Sequence, residues 1–243
     1  MKIGRALLWV TLFAIAMAFL ESAVVIYIRE LLYPEGFGFP LVTLQSNLAK
    51  TEMFREVATI VMLLAIGYIS GDTNLKRFAH FIYAFAIWDI FYYLFLYLLI
   101  GWPETLFVWD VLFLIPVTWT GPVISPLIVC FYMIFFSLTI LLFSDRGITV
   151  SVSLKNWLLL ITGSIVLIVA FTWDFSRFIF EHYSVKEIWN LTGSGDDLFN
   201  LSTQYVPRRF NWIIFSAGSL LVIIPIISVL LKSANELKGE TSS

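Results

Sequence analysis

Asp89 is the residue whose setting most needs a chemical explanation. It stands near the middle of HFIYAFAIWDIFYYLFLY, the stretch from His80 to Tyr97, which is otherwise apolar or aromatic after its opening histidine. An ionisable group inside a membrane-spanning run is expensive and is by default a candidate for function. Phe85, Asp89, Tyr92, Tyr93 and Tyr97 recur at three-and-four spacing. The carboxylate therefore shares a helical face with three phenols able to donate hydrogen bonds to it.

Five further ionisable residues belong to the same chemical question. Glu21 interrupts the first apolar run. Glu52, Arg55 and Glu56 fall on one face of a second helix, where Arg55 can pair with either carboxylate. Asp110 follows Trp109, a pairing that reads first as an interface anchor. Glu21, Arg55, Glu56, Asp89, Tyr92, Tyr93 and Asp110 are thus the candidates for ligand contact or proton relay.

The bland alternatives are a structural carboxylate that fixes helix packing at Asp89 and a solvated charge cluster at the head of the second helix. No assignment of catalytic residues follows from the sequence. Metal chemistry is disfavoured: His80 and Asp89 lie on opposite helix faces, roughly 13 Å apart along the axis, and Arg55 sits among the carboxylates that a hard cation would need. Haem would require His80 and His182 to meet from different depths, so no cofactor is expected. Motifs of the HExxH, GxSxG or phosphate-loop kind do not occur.

The elements that must position these groups follow from composition. The chain has 243 residues, 60% hydrophobic and only 13% charged, with a mean hydropathy of +0.90. Charged residues make up about 25% of ordinary soluble domains. The expected fold is therefore all-α, a polytopic membrane helical bundle forming a single integral membrane domain. A net charge of -2 with no basic run excludes a nucleic-acid partner. The lone cysteine, Cys130, excludes an intrachain disulfide and a CxxC motif.

Hydropathy and turn signals place spans at about 6–28, 52–70, 77–101, 121–143, 157–173 and 212–231. The basic start and Ala16-Met17-Ala18 also fit a cleavable signal peptide, but the apolar run continues to Ile28, longer than such a core. Residues 105–120 are broken by Pro116 and followed by Gly121-Pro122, and read as a broken or re-entrant segment before the fourth span. Two tilted spans over Thr105 to Phe143, giving seven in all, are the alternative. Residues 175–190 carry apolar side chains at roughly helical spacing among charges, which predicts an interfacial helix. Residues 232–243 read as a polar tail.

Counting Lys and Arg in the short connections gives about eight with the termini and three opposite them, which predicts both termini in the cytoplasm of a cytoplasmic or plasma membrane. The candidate acids then gather in the outer half of the bundle. Trp88, Tyr92, Tyr93, Trp109 and Trp119 lie near them, and aromatic walls around a few polar groups suit an amphipathic ligand.

Beyond the lipid bilayer itself, the expected partners are therefore a lipophilic small molecule or other membrane subunits. Transport or binding of a small amphipathic molecule, lipid or ion is the leading expectation. An intramembrane enzyme with acid/base carboxylates acting on a lipid or isoprenoid, and a subunit or assembly factor of a membrane complex, are the alternatives.

Overall fold

A computed structural model describes residues 3–42, 46–115, 117–183 and 203–241. Their order is α1 (Ile3–Leu32), α2 (Ser46–Ser70), α3 (Asn74–Ile100), β1 (Trp109–Phe113), β2 (Trp119–Pro122), α4 (Ile124–Asp145), α5 (Leu154–His182) and α6 (Trp212–Thr241). All six helices are long and apolar enough to cross a membrane. The chain is a multi-pass all-α bundle with one small hairpin set into it.

Local chemistry sets several boundaries. The Thr73 side chain accepts from the Lys76 N–H and opens α3, while Gly101, in the left-handed region at φ 69°, closes it. Ser153 caps α5 in the same manner as Thr73. The last helix does not stop at Leu231: residues 232–241, expected as a polar tail, continue α6, because good helix formers and the Lys232–Glu236 spacing of four carry it on. The expected break after Trp173 is also absent. Phe175, Phe178, Ile179 and His182 prolong α5, since Phe175 and Ile179 bury against Tyr205 and so continue the packed face. The rest of the expected interfacial helix, 184–190, lies outside the described residues.

α3 is the central helix, packed against α1, α2 and α4. Ala6, Val10, Ala14, Ala18 and Ser22 form a small-residue stripe along α1. Ser22 donates to the Tyr92 carbonyl at 3.1 Å, and Thr11 bonds the Tyr83 hydroxyl at 2.9 Å, so α1 and α3 run parallel. Lipid tails solvate leucine as well as protein does, so close backbone approach and polar contacts must hold such helices together. Gly67 illustrates this: a Cβ there would stand 2.7 Å from the Phe81 Cβ. Gly163 and Gly218 give the α5–α6 pair the same intimacy. Outward faces carry Leu, Ile, Val and Phe, many of them largely exposed, as lipid contact requires.

The segment between α3 and α4 is neither a helix nor a full span. β1 and β2 pair antiparallel, Trp109 opposite Pro122 and Val111 opposite Thr120, with an irregularity between Val111 and Phe113. The pairing extends outward through Val123 N–H to the Val108 carbonyl at 3.0 Å and Ile124 N–H to the Leu106 carbonyl at 2.8 Å. Phe113 packs on Phe85 and Trp88 of α3, and Trp119 stacks on Phe171 of α5. These partners lie near the middles of their helices. The hairpin therefore enters the bundle and bridges the α1–α2–α3 core and the α4–α5–α6 core.

Gly67→Val should lower the unfolding temperature in detergent, at a cost of about 1–3 kcal/mol. Gly4→Val, with nothing within 4 Å of its would-be Cβ, should leave it within error. Equal effects would contradict the close α2–α3 approach.

Candidate functional site

Helix periodicity and the hairpin together place the polar residues. Glu21 faces α2 from α1 and forms an ion pair with Arg55. Arg55 also grips Glu52 on its own helix, with Nε at 2.8 Å and Nη2 at 2.7 Å from Oε2. Thr59, one turn further on, donates to Glu21 at 3.3 Å.

Glu56 turns away from this network. Its two oxygens accept the Leu114 N–H, each at 3.0 Å, at the end of β1. The carboxylate thereby supplies the acceptor that a third strand would have offered to the hairpin backbone.

Asp110 corrects the reading as an interface anchor. It is buried, at 2% exposure, between the Arg29 guanidinium at 3.3 Å and the Tyr93 hydroxyl, which donates at 3.2 Å. Arg29 is itself roofed by the Phe37 and Trp102 rings, their centroids 4.2 and 3.8 Å from its Cζ. Burial on this scale follows from the hairpin, which turns Asp110 toward α1 and α3 rather than toward the bundle surface.

The expected tyrosine partners of Asp89 also change. Tyr93 serves Asp110, Tyr97 is exposed, and the described donor to Asp89 is the Cys130 thiol of α4, 3.1 Å away. The rotation of α4 against α3 decides that contact.

Glu21, Arg55, Glu56, Asp89, Tyr92 and Tyr93 all line one internal cavity of about 70 Å³, and Asp110 stands behind its Tyr93 wall. Val25, Thr59, Trp88 and the hairpin residues Val111 to Phe113 complete it. That volume holds a few water molecules, each needing about 10–15 Å³ for its centre. Beside it lies an apolar groove of about 340 Å³, walled by Val57, Ile60, Val61, Phe85, Phe113, Ile115 and Trp119. Glu56 and Phe113 border both spaces.

Two indole N–H groups, Trp88 Nε1 in the cavity wall and Trp119 Nε1 in the groove wall, are buried without an acceptor among the described residues. A buried donor left unpaired costs about 1–3 kcal/mol. Sequence reasoning missed Thr59 and Cys130 as members. Thr59 was findable, since it follows Arg55 by four on the same face. Cys130 carried no signal.

Both histidines lie apart from this cluster. His80 is buried toward the opposite end of α3, and His182 bonds the Phe178 carbonyl at the end of α5. Comparison of the chain with protein-family models, with curated proteins and with solved structures finds no match. The site's chemistry must therefore be argued from its own geometry.

Removing one partner of the Arg29–Asp110 pair leaves a buried charge alone. Arg29→Met and Asp110→Leu should each destabilise by about 3–5 kcal/mol in detergent unfolding, and the double variant should recover most of that loss. Strict additivity of the two single losses would refute the pairing.

Proposed function

We propose that this membrane protein binds or transports a small amphipathic molecule whose apolar part occupies the groove and whose polar head reaches the cavity past Glu56. The observation that carries the reading is the junction itself: an apolar groove and a polar cavity share Glu56 and Phe113, with the Trp88 ring in the cavity wall and the Trp119 ring in the groove wall. Val57 and Val61 on the rim are about half exposed on the outward face of α2, so entry is from the lipid phase. The cavity lining holds three carboxylates, Glu21, Glu56 and Asp89, and one guanidinium, Arg55, which is already paired with Glu21 and Glu52. That balance favours a head that is cationic or that donates hydrogen bonds. Changes in protonation of Glu56 and Asp89 would couple binding to release.

A second reading, an intramembrane enzyme, draws on the unlike surroundings of the same two acids. Glu56 accepts a main-chain N–H and Asp89 a thiol, within one cavity. One would donate and the other accept a proton.

Single-chain amphiphiles with brominated tails and an amine, hydroxyl or carboxylate head provide the test, read as quenching of tryptophan fluorescence in detergent micelles. Saturable quenching by the amine and hydroxyl forms is expected, diminished in Trp119→Phe and weakened about tenfold in Glu56→Gln. Quenching that never saturates, or that ignores both substitutions, would end the amphiphile reading. Conversion of the bound molecule, lost in both Glu56→Gln and Asp89→Asn, would favour the enzyme.

A further inference from the structure

A second built region lies where the end of α5 meets the start of α6, away from the acidic cavity. Asp174 organises it. Its carboxylate accepts the main-chain N–H groups of Arg208 at 3.0 Å and Arg209 at 3.3 Å, and the Tyr205 hydroxyl at 2.8 Å. Tyr205 is almost wholly buried and also bonds Thr120 of β2 at 2.9 Å. Burial raises its hydroxyl above the ordinary phenol range, so it remains a donor at any physiological pH. The chain from Tyr205 to Asn211 is thereby tied to both α5 and the hairpin, and two consecutive guanidinium side chains project from a fixed backbone.

Among the described residues those side chains are only partly neutralised. Glu181 is shared between Arg177 at 2.9 Å and Arg208 at 3.2 Å. Asp174 is spent on main-chain amides and Tyr205. Arg209 has no carboxylate partner for its side chain among the described residues.

The three arginines border a recess of about 370 Å³ that is also lined by Trp173, Phe178 and Trp212. Arg208 and Arg209 separate it from a second recess of about 270 Å³, to which Phe107 and Trp109 contribute. The first turn of α6, capped by the Asn211 side chain on the Ile214 N–H, opens into the larger one and adds its positive dipole end.

We propose that Arg177, Arg208 and Arg209 form a binding site for a phosphate-bearing anion. Guanidinium forks match phosphate oxygens in pairs, and three of them around one recess exceed what Asp174 and Glu181, the two carboxylates lining it among the described residues, balance. The indoles at this level are the side chains that sit among lipid headgroups. An anionic phospholipid is therefore the expected source, its phosphate between the guanidiniums and its glycerol and upper chain against Trp173 and Trp212. Soluble phosphate would present the same oxygens without the chain.

The full-length protein in detergent, titrated with phosphatidylglycerol or phosphatidylcholine and read by native mass spectrometry, tests the site. Wild type should prefer phosphatidylglycerol, and the Arg208→Gln/Arg209→Gln double variant should lose at least about tenfold in that affinity. Arg209→Lys, which keeps the charge but not the fork, should fall between. Lys155→Gln, an exposed cation on the first turn of α5, should match wild type, and unchanged unfolding temperatures certify folding.

Millimolar inorganic phosphate that displaces the lipid would assign the site to phosphate from either source, whereas failure to displace would assign it to the lipid. Equal affinity for both lipids in wild type, or wild-type affinity in the double variant, would overturn the proposal.

Discussion

Every polar group inside a membrane-spanning bundle must find its partner within the protein, because hydrocarbon offers none. The hairpin between α3 and α4 is where this constraint is most severe. A two-stranded ribbon has two open edges, and the tip of this one reaches the level of mid-helix residues. Glu56 answers the need at Leu114, and Arg29 with Tyr93 answers the charge of Asp110. Without these contacts the ribbon would carry an unpaired N–H and an unpaired charge into the bundle; without the ribbon, the acids of α1, α2 and α3 lose the wall that Val111 to Phe113 provide.

The same contacts explain why the polar residues gather instead of scattering. A charge taken from water costs several kcal/mol unless its partners are close and well oriented. Arg55 meets that requirement by serving Glu21 and Glu52 together, and Arg29 by combining Asp110 with two aromatic faces. Elsewhere α1 and α3 approach through alanines with two hydroxyl hydrogen bonds between them, and α5 and α6 through glycines, and close packing carries most of the contact. The bundle thus has one region built by electrostatics and others built by small side chains. Cavity and groove arise at their seam, around Glu56 and Phe113.

Much of the arrangement was legible in the residues. Long apolar runs mark the helices, and alternating direction brings Glu21, Arg55, Glu56 and Asp89 to one level, because Glu21 and Asp89 lie past the middles of α1 and α3 while Arg55 and Glu56 lie before the middle of the oppositely running α2. Pro116 and Gly121-Pro122 announced irregular backbone. What they did not announce was a strand pair, since a short run such as Val111 to Ile115 suits strand or buried helix equally.

Partner choice was hidden for a different reason. Tyr93 turns to Asp110 and Asp89 to Cys130 according to the rotation of neighbouring helices, which the periodicity of a single helix does not encode. The extension of α5 was masked by its own charges: Asp174, Arg177 and Glu181 suit a separate interfacial helix until Tyr205 and the Arg208–Arg209 backbone are set against them.

The depth of the hairpin tip is the most direct measure of whether this architecture stands. A nitroxide carried at Val117→Cys in a Cys130→Ser background, with the protein in a lipid bilayer, reports depth through its relative collision rates with oxygen and with a water-soluble nickel chelate. Val117 is 42% exposed, so the label reports on its surroundings without entering the core. Oxygen should dominate strongly, as at the middle of a spanning helix. A ratio matching a label in the short turn at Asp72, which joins α2 to α3, would put the tip at the membrane surface and contradict the account.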